Sequence, residues 1–284
     1  MHRSVGIRFA LWGALVVLAL AAAQTETSRA ADTSAVDRGR YLMAIGICES
    51  CHTPKDAEGK SDKERYLAGG HRVGGLLSSN LTSDSETGLG SWTDEQIIAS
   101  IRNGVRPDGG PVRPPMGTYF YRNLSDADVK AIVAFLRTAP AIKNPVERLA
   151  ARGPAPKFEP VQNVLDPDRG DMLVYGRYLA ETIGHCFQCH TPRINGQPDQ
   201  ARLGAGGNTY TARGGGTIMA PNITPTRLGS WSDDQIKSAI TKGVRADGGQ
   251  MASVMDYDLY ARMTESDLSA MIAYLRKIPP ISDP

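Results

Sequence analysis

Four cysteines are all that the chain has, and they fall into one pattern that leaves no thiol spare. Neither charge is in surplus. The formal net charge is +2, and the first thirty residues hold Arg3, Arg8 and Arg29 against Glu26, so the remainder is neutral. Nucleic-acid surfaces concentrate Lys and Arg on one face, and no such partner is expected here. Only one long apolar run exists, Phe9 to Ala23, and nothing later is apolar enough to cross a bilayer. No sustained alternation of apolar and polar residues supports a sheet. The apolar run follows His2, Arg3 and Arg8 and precedes small-residue sites at Ala21-Ala22-Ala23 and Arg29-Ala30-Ala31. It has the length of a signal-peptide core and is short for a membrane span. Residues 1–30 are therefore expected to be an export signal, and membrane association through an uncleaved N-terminus is the alternative.

What the chain does contain is one pentapeptide twice, Cys48-Glu49-Ser50-Cys51-His52 and Cys186-Phe187-Gln188-Cys189-His190. On a helical turn, positions i, i+3 and i+4 share a face, so two thiols and an imidazole point at one object. C-x-x-C-H is the pattern for covalent attachment of a c-type haem. The thiols bond the two vinyl groups, and the histidine sits under the iron. A thioredoxin-like motif would need a βαβ context, and paired zinc knuckles usually lie about 15–20 residues apart. Two disulfides would leave the histidine after each second cysteine unexplained. The motifs therefore predict two covalently bound haems c, on Cys48 and Cys51 with His52, and on Cys186 and Cys189 with His190.

The motif is part of a longer repeat. Residues 90–140 align without gaps on 229–279, and Gly39-Arg40-Tyr41-Leu42 matches Gly176-Arg177-Tyr178-Leu179, with one residue inserted before the second motif. Between the copies, Pro140 to Pro167 holds six prolines and few periodic apolar residues, which reads as a linker. The expected organisation is a signal over 1–30, a first domain over 31–141, a linker over 142–167 and a second domain over 168–284. Each copy should be a few short helices. One runs from Gly39 to Cys51, or Gly176 to Cys189, and carries the motif. Capping boxes at Thr93-x-x-Gln96 and Ser232-x-x-Gln235 start another. Val129, Ile132, Val133 and Leu136, matched by Leu268, Met271, Ile272 and Leu275, mark the closing helix by their 3.6-residue period. The fold class is all-α. Each domain would build its own core on its haem, so cutting the linker should give two haem-bearing fragments.

The repeat also selects distal ligands. Met116 and Met255 fall at matched positions, 64 residues after His52 and 65 after His190. Met251 lies close by, but its counterpart is Val112, so matching chooses Met255. Met43, Met172, Met219, Met251, Met263 and Met271 are left as core fillers. Trp92 and Trp231 could reach a propionate with the indole N–H or simply pack at a helix start. Arg106 and Arg245 suit a propionate by their planar guanidinium, with surface solvation as the alternative. Asn80 and Asn222 lie in N-x-T sequences, but duplication favours a structural role in the loop at the haem edge. His71 and His185 have no counterparts and read as loop or surface histidines.

Each half resembles a class I cytochrome c domain, with C-x-x-C-H near the start, a distal methionine about sixty residues on and a closing helix. Pro221-Asn222-Ile223-Thr224-Pro225, Gly229-Ser230-Trp231, the Gly-Val-Arg-x-Asp-Gly loop and Tyr274-Leu275-Arg276 are similar to the cytochrome subunits of bacterial alcohol, gluconate and related periplasmic dehydrogenases. Those subunits typically carry three haems, and this chain has motifs for two. The resemblance implies a periplasmic carrier that takes single electrons from a dehydrogenase and passes them to a respiratory cytochrome, an oxidase or a quinone, with no catalysis of its own. The rival class is a dihaem enzyme. A peroxidase needs an iron with an open position, whereas both copies offer a methionine. A thiosulfate-oxidising cytochrome uses a cysteine ligand, and none is spare.

Overall fold

The computed structural model describes residues 33–149, 155–211, 216–251 and 254–283, so the expected signal over 1–30 lies outside them. The described residues are mostly helical, with a few short strands. In the first repeat the helices are α1 (33–45), α2 (Cys48–His52), α3 (Asp94–Arg102), α4 (Thr118–Tyr121) and α5 (Asp126–Arg137). In the second they are α6 (Met172–Arg177), running on into a π-helical turn over Tyr178–Ile183, then α7 (Cys186–Cys189), α8 (Pro225–Leu228), α9 (Asp233–Lys242), α10 (Tyr257–Tyr260) and α11 (Glu265–Leu275). Three two-stranded antiparallel hairpins decorate the loops: β1 (Arg72–Val73) with β2 (Leu76–Leu77), β3 (Arg193–Ile194) with β4 (Gln197–Pro198), and β5 (Thr209–Thr211) with β6 (Thr217–Met219).

Local chemistry starts these helices where the sequence says it should. The Thr93 hydroxyl accepts from the Gln96 amide while the Gln96 side chain accepts from Thr93 N–H at 2.9 Å. Ser232 and Gln235 repeat that reciprocal pair at the start of α9. Ser125 and Thr264 accept from the amides of Asp128 and Asp267, satisfying orphan donors at the first turns of α5 and α11. The apolar stripe of each closing helix faces inward: Val129, Ile132, Val133 and Leu136 are buried, as are Leu268, Met271, Ile272 and Leu275. The opening helices cross these stripes at glycine. A Cβ on Gly39 would stand 1.9 Å from the Ala131 carbonyl oxygen, and one on Gly176 would stand 2.0 Å from that of Ala270.

The opening helix does not run through the motif. The expected continuous helix from Gly39 to Cys51 is broken by Ile47, and its counterpart by His185; both hold left-handed backbone, at φ 50° and φ 35°. This break sets each motif on its own turn. The residue inserted in the second copy is absorbed upstream. Gly46 N–H bonds the Leu42 carbonyl in an ordinary i→i+4 step, whereas Gly184 N–H bonds Leu179 in an i→i+5 step at 2.7 Å. A π turn is how a helix takes up one extra residue without losing a backbone bond.

The copies do not form separate cores. Buried side chains of both repeats belong to one continuous cluster, and the seam between them has matched contacts in both directions. Tyr41 in α1 donates to Asp267 in α11 at 2.7 Å, and Tyr178, its counterpart, donates to Asp128 in α5 at 2.9 Å. Each phenol oxygen also accepts an N-cap amide, Thr264 for Tyr41 and Ser125 for Tyr178. Asp128 is fully buried and further receives Arg38 through two nitrogens, at 2.9 and 2.8 Å, and Arg169 at 3.2 Å. Residues 140–149 and 155–167 have no helix or strand and run along the first repeat: Asp126 N–H donates to the Val164 carbonyl, and Asn103 accepts from Val161 N–H. No helix among the described residues is long and apolar enough to cross a membrane.

Candidate functional site

Each motif forms a helical turn with its three donors half-exposed: Cys48, Cys51 and His52 in one copy, and Cys186, Cys189 and His190 in the other. None of the four cysteines is in a disulfide. Burial is the main force on the thiols, pushing Cys48 and Cys186 up to about 12 and Cys51 up to about 11. They are therefore neutral S–H groups, and each would hold a haem by net addition of S–H across a vinyl double bond.

Behind each imidazole stands a carbonyl. His52 Nδ1 lies 2.8 Å from the Ser79 oxygen, and His190 Nδ1 lies 2.8 Å from that of Pro221. A carbonyl only accepts, so Nδ1 carries the proton and Nε2 keeps its lone pair for a metal. Burial lowers the pKa of both rings and keeps them neutral. The next residue pins that carbonyl. Asn80 accepts from Thr82 N–H at 3.0 Å and donates to Ile142 at 2.8 Å, while Asn222 accepts from Thr224 N–H at 2.8 Å and donates to Ile281 at 2.7 Å. Both asparagines are almost fully buried, which agrees with the structural role expected of them. Gly69 and Gly206 make the approach possible. Both hold positive φ, and a Cβ on either would lie within 2.7 Å of the backbone they pass, residues 79–80 and 220–222.

Met116 and Met255 are half-exposed and pack against the core from the loops ahead of α4 and α10. Those loops are tied back to the motifs by a pair of residues to which sequence reasoning assigned no role. Tyr121 donates to the Gly46 carbonyl at 2.8 Å, and Tyr260 to that of Gly184 at 3.0 Å, two residues before the first cysteine in each copy. Both sit at matched positions in the ungapped alignment, so the signal was present. Arg137 and Arg276 were likewise aligned without a role. Arg137 donates to the carbonyls of Trp92 and Leu89, and Arg276 to those of Trp231 and Leu228, locking the end of α5 to the start of α3 and the end of α11 to the start of α9. Both tryptophans are partly buried against the core.

Other expectations change. His185 is no surface residue. It is buried at the seam, its ring edge-on to Tyr121 at 5.2 Å, and burial pulls its pKa down to about 4. Met43, Met263 and Met271 do fill the core, but Met172 and Met219 are more than half exposed. Arg245 pairs with Asp247 at 3.2 Å, whereas Asp108, the matching carboxylate, pairs with Arg148. Burial, and then Arg148, hold the Arg106 guanidinium below its ordinary range.

The two sites meet. Ser50, inside the first motif, donates to Asp256 at 2.8 Å, beside Met255 of the second copy. Gln188, the counterpart of Ser50, donates to the Pro115 carbonyl at 2.7 Å, beside Met116. Each attachment turn thus touches the distal loop of the opposite repeat. Neutral thiols, and an imidazole whose Nδ1 is held by a carbonyl so that Nε2 is left free, suit a c-type haem. A haem held by these residues would supply one-electron ferric/ferrous chemistry. The protein holds it in place and sets its surroundings.

Two family models match, one per repeat: residues 34–136 match the cbb3-type cytochrome c oxidase subunit III model, and residues 174–279 the cytochrome c model. A dihaem cytochrome c-type protein of Cereibacter sphaeroides is 32% identical over 88% of this chain and 88% of its own length. The fructose dehydrogenase cytochrome subunit of Gluconobacter japonicus is 33% identical over 89% of this chain and 54% of its own. The cytochrome c subunit of the quinone-type alcohol dehydrogenase of Gluconobacter oxydans is 32% identical over 89% and 56%. The chain thus spans about half the length of these dehydrogenase subunits.

Proposed function

The chain belongs to the cytochrome c family, with two cytochrome c domains and two covalently bound haems c, and on that premise we propose that it carries single electrons from a periplasmic dehydrogenase to a respiratory acceptor. Cys48 and Cys51 attach the first haem, with His52 and Met116 as axial ligands. Cys186 and Cys189 attach the second, with His190 and Met255. Residues 31–141 and 168–284 are the two domains, residues 142–167 their linker, and residues 1–30 direct export. The acceptor is a cytochrome, an oxidase or a quinone.

One observation carries this reading above the others. In both copies a histidine whose Nδ1 is held by a carbonyl 2.8 Å away follows two free thiols, and each such turn contacts the methionine loop of the other copy. Two sites packed in this way make a short path for electrons rather than two isolated centres. A dehydrogenase as donor is supported by the relatives, which are named as cytochrome subunits of fructose and alcohol dehydrogenases.

The test is the distal ligand. Methionine ligation gives a weak charge-transfer band at the red end of the ferric spectrum. Met116→His or Met255→His should remove that band for one haem and lower the potential of that haem. Met116→Ala or Met255→Ala should admit carbon monoxide or cyanide, which the parent binds poorly. If the parent takes such ligands quickly at one haem, that iron has an open position and a peroxidase-type enzyme becomes the better reading. Loss of the band in Met251→Ala rather than Met255→Ala would move the second ligand.

A further inference from the structure

The two repeats agree closely around their motifs, and two differences between them carry charge. At the contact between Gln188 and Pro115 an amide meets a backbone carbonyl, and both are neutral. At the matching contact the carboxylate of Asp256 accepts a 2.8 Å hydrogen bond from the Ser50 hydroxyl, and Lys55 Nζ donates to the same hydroxyl oxygen at 3.4 Å. Ser50 is buried between Cys48 and Cys51, and Asp256 is half-buried directly after Met255. One carboxylate therefore stands between an attachment turn of the first haem and a ligand loop of the second. The other difference, Glu49 where the second motif has Phe187, pairs with Arg262 at 2.7 Å across the seam and is internally balanced, and Tyr66 donates to the same glutamate.

We propose that Asp256 is a potential-setting charge shared by the two haems, and that Lys55 opposes it at the first. The inference rests on the haem and ligand assignments above. A ferric haem carries one more positive charge than a ferrous one, so a nearby anion stabilises the ferric form and a nearby cation the ferrous form. Removing a unit charge at roughly 10 Å in a medium of dielectric ~20 changes a one-electron equilibrium on the order of tenfold.

The experiment is spectropotentiometric titration of the intact dihaem protein in three variants. Asp256→Asn should raise the midpoint potentials of both haems, by on the order of tenfold in the ferric/ferrous ratio at fixed ambient potential. Lys55→Gln should lower the potential of the first haem. Ser50→Ala keeps both charges and removes only the hydrogen bond, so it should move the potentials far less than Asp256→Asn. Equal potentials in parent and Asp256→Asn, or shifts of the same sign in Asp256→Asn and Lys55→Gln, would overturn the proposal. A generally loosened seam would produce that second pattern. The parent spectrum separates this failure from failure of the haem assignment, because two methionine-ligated haems must be present before any variant is read.

Discussion

Tyr41 and Asp267 are 226 positions apart and share a 2.7 Å hydrogen bond, and the same bond recurs in reverse between Tyr178 and Asp128. The repeats are thus fastened to each other by the ends of their own opening and closing helices, with the connecting segment playing little part. An engineered protease site within residues 148–157 should, when cut, leave two haem-bearing fragments that co-elute in size exclusion. Separation without denaturant would show that the seam is too weak to hold the halves together.

The carboxylates of that seam are unequal. Asp128 takes Arg38, Arg169 and Tyr178, while Asp267 takes the hydroxyls of Tyr41 and Tyr175. Asp128→Ala leaves a partly buried guanidinium without its main partner and should cost about 3–5 kcal/mol in denaturant unfolding. Asp267→Ala should cost about 1–3 kcal/mol. Equal losses would contradict the difference in partners.

High pH should open the same seam. Burial first, with help from the facing carboxylates, raises Tyr41 and Tyr178 above the ordinary phenol value. The neutral form is then favoured in the folded state, so the contribution is intact below about pH 10 and is lost as pH climbs above it. Denaturant midpoints measured from pH 8 to 11 should fall at the alkaline end. Tyr41→Phe combined with Tyr178→Phe should flatten that fall; an unchanged slope would place the titrating groups elsewhere.

Asn80 reaches the first haem site only through the Ser79 carbonyl on His52. Asn80→Ala should destabilise the fold by about 1–3 kcal/mol, since buried partners lose their bonds. It should also raise the potential of the first haem alone, because a freed Nδ1–H makes the imidazole a weaker donor. Asn222→Ala should do the same at the second haem. A stability loss with both potentials unmoved would confine these residues to scaffolding.

Much of this was legible in the sequence because it was written twice. The motifs, the capping boxes and the stripes of α5 and α11 are local signals, and duplication removed the ambiguity of each. The same means chooses Met255 over Met251, a choice that the ligand variants test. The carbonyls of Ser79 and Pro221 were invisible because a backbone acceptor leaves no trace in residue identity; only the asparagine that follows hints at it. His185 was misplaced for a different reason. It has no counterpart, and its burial comes from Tyr121 of the other repeat, a contact no local pattern encodes. The seam itself depends on the long-range meeting of Tyr41 with Asp267.

The π turn over Tyr178–Ile183 has a consequence for how the halves diverge. It acts as slack: one copy is a residue longer than the other, yet Tyr260 meets Gly184 as Tyr121 meets Gly46. What stays constant between the halves is the position of a carbonyl under a tyrosine, and the number of residues before it is free to drift. Swapping residues 39–46 for 176–184, in either direction, should therefore leave the first thiol of the following motif in place, so that the two opening helices are interchangeable parts of unequal length.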